Sequence, residues 1–408
     1  MTKYNYFHIN IILLYKIINI FYYFFTIDPT IYFNSFWDNY FITNTHKNKN
    51  NSLFKYNIKP YLIYFPQFHI ISENNITFYP NFTDTENLQL LNQSKISDDI
   101  ETPFLSELNI NNIHEYNLEN KKLIEKQIEI IDDYDIPGFA IYYYWFSKNT
   151  ITNKNMIMDK VINTFFDNSI NIKNKKVFFI WANEDWSGNE AFGKTNEKIE
   201  NKYTYEDIKK NVDDLMIYFK HDNYLKIDNK PVFFIYHPWQ LTDKELEQLH
   251  IILEDECKKN NFNGVHFILN NMIKDYDNYQ QFSIHFNYKL SNFSYIKNQK
   301  VINFYDYLNK EDNFKNCIQT ISLDFDNRAR LFKPNKLNKS SICVENTEIN
   351  KIFFMNKIVE KYNKEKKSEV ENILLVNAFN EWGEKMTFEP SQEYGYYNLN
   401  LLVDNLSL

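Results

Sequence analysis

Short, continuous, β-prone apolar runs recur along most of this 408-residue chain. They read "YLIYF" from 61, "FAIYYYWF" from 139, "VFFIW" from 177, "VFFIY" from 232, "VHFIL" from 265, "SIHF" from 283, "ISLDF" from 321 and "ILLVNAF" from 373. Most do not alternate with polar residues, which suits strands covered on both faces of a parallel sheet. Several gaps hold helical patterns, such as "NLENKKLIEKQIEIIDDYDI" at 117–136 and "TYEDIKKNVDDLMIYFK" at 204–220. Strand followed by helix, repeated to about eight, predicts an α/β fold of the TIM-like (β/α)8 barrel type. A doubly wound open sheet is the alternative architecture.

The barrel occupies 56–408 in this reading. Residues 1–55 form a short hydrophobic N-terminal extension and a polar linker, "NTHKNKNNS" at 44–52. The run "FHINIILLYKIINIFYYFFTI" at 7–27 is long enough to cross a bilayer. Lys16 at its middle costs about 2.5–3.5 kcal/mol there, and the Ile, Leu and Phe residues return roughly 0.3–0.6 kcal/mol each. The sum is near zero, so a packing helix and a signal anchor both stay open, and with them membrane association and a cytoplasmic location. No small-residue cleavage site follows.

A net charge of −8 argues against nucleic acid as a partner. The three Cys, at 257, 317 and 343, show neither a disulfide framework nor zinc spacing. Only six Gly occur, and none builds a phosphate-cradling loop. "DYD" at 275–277 and "DFD" at 324–326 match a metal-binding triplet, but such triplets are common in an Asp-rich chain.

A barrel places its active site at the C-terminal ends of its strands. The runs here lead into "PQFH" (66–69), "WFSKN" (145–149), "ANEDW" (182–186), "HPW" (237–239), "NN" (270–271), "DNRAR" (326–330) and "NEWGE" (380–384). Repeated Trp, Asn and Glu are unusual for ordinary turns. Glu381 and Glu384 stand out, because breaking a glycosidic bond uses two carboxyl groups, about 5–5.5 Å apart in retaining chemistry. Two carboxylates three residues apart in a turn reach such a separation, and Trp or Tyr beside them would stack on sugar faces. Surface Glu pairs at this spacing are also common in helices.

The ordered set "YLIYFPQFH", "IPGFAIYYYWF", "FFIWANEDW", "YLKIDNKPVFFIYHP", "DFDNRAR" and "VNAFNEWGE…EP" resembles the WbsX-like glycosyltransferase family over roughly 60–400. That family is related to the glycoside hydrolase family 99 endo-α-mannosidases. The resemblance implies a (β/α)8 barrel acting on an oligosaccharide or polysaccharide, with no metal and no cofactor. It implies that Glu381 is a base on a sugar 2-hydroxyl, giving an anhydro-sugar intermediate, and that Glu384 is the general acid and then base. Substrate-site residues carried over with it are Tyr64, Gln67, His69, Tyr144, Trp145, Trp181, Asn183, Glu184, Trp186, Tyr236, His237, Asp326, Asn327, Asn380 and Trp382. Arg330 belongs to the same segment as Asp326. The segment "ITFYPNFTDTENL" departs from the family by lacking Trp and Gly. Transfer and hydrolysis use the same pair and stay undecided. The competing class is a non-catalytic glycan-binding protein on the same scaffold.

Overall fold

The computed structural model describes residues 54–77, 80–86, 88, 101–147, 154–187, 198–199, 202–270, 285–286, 301–303, 317–327, 343–345, 348–364 and 368–407. The hydrophobic run at 7–27, the triplet at 275–277 and Arg330 lie outside these residues.

Among the described residues the central sheet has ten strands: two short ones, Met156–Ile157 and Lys226–Ile227, pair antiparallel with their neighbours, and eight form its body, β1 (Lys59–Tyr64), β2 (Gly138–Trp145), β3 (Lys176–Trp181), β4 (Lys230–Ile235), β5 (His266–Asn270), β6 (His285–Phe286), β7 (Cys317–Ser322) and β8 (Ile373–Asn377). These eight pair in parallel, in the order β1-β8-β7-β6-β5-β4-β3-β2. β1 also pairs with β2, Tyr61 lying opposite Gly138, while Lys59 lies opposite Ile373 of β8. The fold is therefore α/β with a mostly parallel sheet. Seven of the eight apolar runs overlap their strands closely. β7 instead starts four residues before the run "ISLDF", because "CIQT" joins the ladder despite its polar residues and pairs with Leu374–Asn377 through Gln319–Ser322.

Helices fill the gaps: α1 (Ser72–Thr77), α2 (Lys121–Asp133), α3 (Asp159–Thr164), α4 (Tyr205–Phe219), α5 (Asp243–Lys259), α6 (Glu348–Lys364) and α7 (Tyr397–Leu406). Their starts are chemically specified. Thr204 and Asp207 satisfy each other's backbone amides at α4, and Thr242 and Glu245 do so at α5. Asn120 caps α2, whose Leu123, Ile124, Ile128 and Ile131 form one buried stripe. Among the described residues no helix is long and apolar enough to cross a membrane.

β2 shows why the runs are unbroken. Every residue from Gly138 to Trp145 is buried. Phe139 packs on Phe165 beside α3, Tyr143 donates to Asn211 of α4 at 3.0 Å, and Trp145 donates to Asp214 of α4 at 2.9 Å. The alternate residue Tyr142 faces the other way, onto Phe65 and Tyr236. Both faces of the strand meet protein, so neither tolerates a charge.

Candidate functional site

β8 ends at Asn377, and the chain then folds into a small hairpin. Asn380–Glu381 pairs antiparallel with Met386–Thr387, and Trp382–Glu384 makes one 3-10 turn between them. Lys385 closes the turn in the left-handed region at φ 54°. Glu381 and Glu384 therefore share one short, closed unit at the C-terminal edge of the sheet. Glu381 is buried, at 4% exposure, and Glu384 is half-buried. Asp326, just past β7, donates its amide to the carbonyl oxygen of Glu384 at 2.7 Å. Phe379 donates its amide to Ile63 of β1 at 2.6 Å. The hairpin is thus bracketed by the ends of β7 and β1.

Asparagine side chains continue the sheet beyond its strands. Asn183 follows β3. Its Nδ2 donates to the carbonyl of His237 at 2.7 Å, and its Oδ1 accepts the His237 amide at 2.8 Å. Asn380 does the same to Phe65, at 3.0 and 2.8 Å. Asn270, at the end of β5, donates to the carbonyl of Tyr236 at 2.9 Å. A carboxamide carries one donor arm and one acceptor arm, so it substitutes for a backbone partner where the ladder has ended.

Aromatic rings gather on the same edge. Tyr142 lies 5.8 Å from Tyr236 and 6.2 Å from Tyr144 between ring centroids, and Tyr144 lies 5.6 Å from Trp186. Tyr236 stacks on the His237 ring at 4.3 Å, and His237 meets Trp239 at 4.6 Å. Trp186, Tyr236, His237 and Trp239 are all half-buried, so the cluster presents ring faces and edges to solvent. Burial pushes the His237 pKa down to about 4. Glu184 lies 3.6 Å away but is 43% exposed, and water screens its pull, so the imidazole is neutral.

Three other expected substrate residues lie away from this edge cluster. Tyr64, Trp145 and Trp181 are 0–1% exposed and face the helix layer. Tyr64 donates to Gln127 of α2, and its ring packs on Phe139 and Phe165. The Trp181 indole donates to the Trp145 carbonyl and packs on Tyr203. The physical reason is strand parity, since Trp145 and Trp181 point oppositely to Tyr144 and Ala182. Trp382 is also buried, its indole donating to Glu389 at 3.0 Å. Gln67 and His69 are buried in the loop after β1. Among the described residues His69 Nδ1 has no hydrogen-bond partner, and burial pushes its pKa down to about 4. His69 lines a cavity of about 110 Å³ with Glu73, Glu119, Lys154, Asp159 and Lys160. Asp326 is buried and Asn327 half-buried at the β7 end.

Behind Glu384, Lys385 lies 3.6 Å from the buried Glu101, and burial pushes the Glu101 carboxyl up to about 7 against the pull of Lys385. Among the described residues no group of three His, Cys, Asp or Glu side chains is arranged to hold a metal. Sequence reading overlooked Tyr142, Trp239 and the role of Glu389. The first two carried a signal. Tyr142 shares the face of Tyr144 by period two, and Trp239 belongs to "HPW". The Glu389 partnership with residues of α2 and the loop before it had none.

A model of the family described as glycosyltransferase WbsX matches residues 60–402. WxcX of Xanthomonas campestris pv. campestris (strain B100), an uncharacterized protein, is 23% identical over 204 residues, half of this chain and 27% of WxcX. WxcX of a second strain of that pathovar, ATCC 33913, matches to the same extent. The match thus spans about a quarter of the length of these curated relatives. Among solved structures, the GH99 endo-alpha-mannosidase from Bacteroides thetaiotaomicron has a TM-score of 0.48 at 14% identity, covering 85% of this chain and 95% of that one. A glycoside hydrolase-like protein has a TM-score of 0.47 at 14% identity, covering 90% and 99%.

Proposed function

The chain belongs to the WbsX glycosyltransferase family, and from that premise we propose that it makes or cleaves glycosidic bonds of a glycan at the C-terminal edge of its sheet, with Glu381 and Glu384 as the reacting pair. The family supports reading the protein as a carbohydrate-active enzyme. The observation that supports the finer reading is the hairpin, whose backbone carries Glu381 and Glu384 in one unit between the ends of β1 and β7. The ring of parallel pairings, β1 meeting both β2 and β8, is read as a (β/α)8 barrel, whose C-terminal mouth is where such sites lie.

The chemistry follows the ordered sequence motifs. Glu381 takes the proton of the sugar 2-hydroxyl as that oxygen attacks C1. The bond from C1 to the leaving oxygen breaks, and Glu384 gives that oxygen its proton. An acceptor hydroxyl then loses its proton to Glu384 and attacks C1, the bond from C1 to the 2-oxygen breaks, and that oxygen recovers its proton from Glu381. Water as acceptor gives hydrolysis, and a sugar hydroxyl gives transfer. These roles require the two carboxyl groups to come within roughly 4–7 Å, a window around the ~5–5.5 Å of a retaining pair. Trp186, Tyr144, Tyr236 and Trp239 serve as platforms for sugar rings, with His237 and Glu184 beside them. Gln67, His69, Asp326 and Asn327 complete the substrate contacts. Asn183 and Asn380 set the rim's shape.

The test is a panel of α-linked oligosaccharides and activated glycosides, incubated with purified protein and followed by mass spectrometry with and without an acceptor sugar. A new product mass is expected for at least one α-linked substrate. Binding of glycan with no turnover across the panel would overturn the enzymatic reading and leave a glycan-binding protein.

A further inference from the structure

The hairpin bearing Glu381 and Glu384 is held from beneath by a residue outside it. Glu389 is fully buried. Its Oε2 accepts from the Tyr116 hydroxyl at 2.6 Å and from the Trp382 indole at 3.0 Å, and its Oε1 accepts from Gln127 Nε2 at 2.7 Å. Gln127 in turn accepts from the Tyr64 hydroxyl at 2.7 Å. The Glu389 amide donates to Phe379 at 2.8 Å, and that of Phe388 reaches Ala378 and Phe379 at 3.0 Å each. One residue thus fastens the base of the hairpin through its backbone and the turn through Trp382, and ties both to β1 and α2.

The donor set requires a particular chemistry. Three donors from three segments converge on one side chain. An ionised carboxylate, which only accepts, satisfies them all; an amide faces the Trp382 indole or Gln127 Nε2 donor to donor, and a protonated acid avoids this only by donating to the Tyr116 hydroxyl, which also lies 3.2 Å from Gln127 Nε2 and 3.3 Å from the Trp382 indole. Burial opposes that ionised form and pushes the carboxyl up to about 7, against the three hydrogen bonds that draw it down. Tyr64 and Tyr116 are the titratable groups facing it, and burial pushes both hydroxyls well above their ordinary range, so they stay neutral. Gln127 and Trp382 do not titrate. A slot with only a packing role is filled at less cost by an apolar residue.

We propose that Glu389 is a positioning residue for the Glu381–Glu384 pair, acting through the Trp382 indole, and that its ionised form is the one that holds the hairpin in working geometry. This rests on the pair being the reacting groups. Protonation of Glu389 reverses its bond with the Tyr116 hydroxyl and removes the charge that strengthens the longest of the three contacts, that from the Trp382 indole. The hairpin then loosens at the turn that leads to Glu384.

The experiment compares the full chain with E389Q, W382F, E381Q and E384Q, using the substrate found by the glycoside panel. Two readouts are taken from pH 5 to 9: kcat and KM, and the near-ultraviolet circular dichroism of the indoles. E389Q is expected to lower kcat roughly ten- to hundredfold, as displaced reacting groups do, with KM within about twofold. The wild type is expected to show an indole transition near neutrality that E389Q and W382F both lack. Full activity and an unchanged pH profile in E389Q, beside inactive E381Q and E384Q, would overturn the positioning role alone. Turnover retained by E381Q and E384Q would overturn both that role and the reading of the pair. Should E389Q fail to fold, W382F removes the same contact from the other side; a fall in its kcat at constant KM supports the proposal, and wild-type kinetics overturn it.

Discussion

Asn380 holds the backbone of Phe65 by both of its polar groups, and it is the residue immediately before Glu381. Two segments far apart in sequence are locked together next to a proposed reacting carboxylate. Asn380→Ala removes both hydrogen bonds that its carboxamide makes to the buried backbone of Phe65, each loss costing about 1–3 kcal/mol. The expected result is a fall of roughly 2–5 kcal/mol in unfolding free energy, read from the urea midpoint at constant slope. Asn183→Ala should behave alike through His237. A loss below about 0.5 kcal/mol in both would show that the clamps are incidental.

Glu381→Gln and Glu384→Gln should each lower turnover by roughly 10²–10⁴-fold, the usual worth of a positioned acid or base, while glycan binding survives. The two should differ in leaving-group dependence. A glycoside whose leaving group needs no protonation should largely rescue Glu384→Gln and should not rescue Glu381→Gln. Equal losses on every leaving group would contradict the assignment of roles.

Stability should respond to acid through two opposed groups of residues. His69 and His237 have folded pKa values near 4, below the ordinary 6.5 of histidine. The stability they support is full above 6.5 and is lost as pH falls through 4. Glu101 and Glu389 sit near 7, above the ordinary carboxyl range. The stability linked to their protonated form is full below about 4.5 and is lost as pH rises through 7. His69→Gln should therefore flatten the fall in unfolding free energy between pH 6.5 and 4, by an amount on the order of 3 kcal/mol. Glu389→Gln should flatten the opposite slope, between pH 4.5 and 7. Identical pH–stability curves for wild type and both variants would refute the linkage.

Aromatic residues at the rim and in the helix layer should respond differently to truncation. Trp186→Ala and Tyr236→Ala should raise KM about fivefold, as loss of about 1 kcal/mol of ring contact does, with kcat little changed. Trp145→Ala and Trp181→Ala should instead cost about 3–5 kcal/mol of stability. Kinetics and melts on the four variants separate the two classes. A KM effect confined to Trp145 and Trp181 would invert the picture.

Strand identity was legible because burial on both faces writes itself as an unbroken apolar run, as in "FAIYYYWF". Which face a side chain takes was legible in principle from period two. Trp145 and Tyr144 are neighbours in sequence and meet different surroundings, α4 for one and Trp186 for the other. β7 was misplaced because "CIQT" joins the ladder with polar residues that the apolar-run rule passes over. Three kinds of fact left no local trace. Asn183 looks like a ligand-binding amide until its reach to His237 is known. The burial of His69 depends on packing after β1. Glu389 reads as a turn carboxylate, and only the folded chain brings Tyr116 and Gln127 to it.

The asparagine clamps give the rim an independence that the sheet lacks. Backbone pairing is common to all side chains, so a substitution inside a strand rarely removes a rung. A rung made by a carboxamide disappears with one codon. The C-terminal edge can therefore be reshaped at Asn183, Asn270 or Asn380 one position at a time, while the ladder beneath keeps its register. Such a scaffold can be retuned at its edge without rebuilding its foundation.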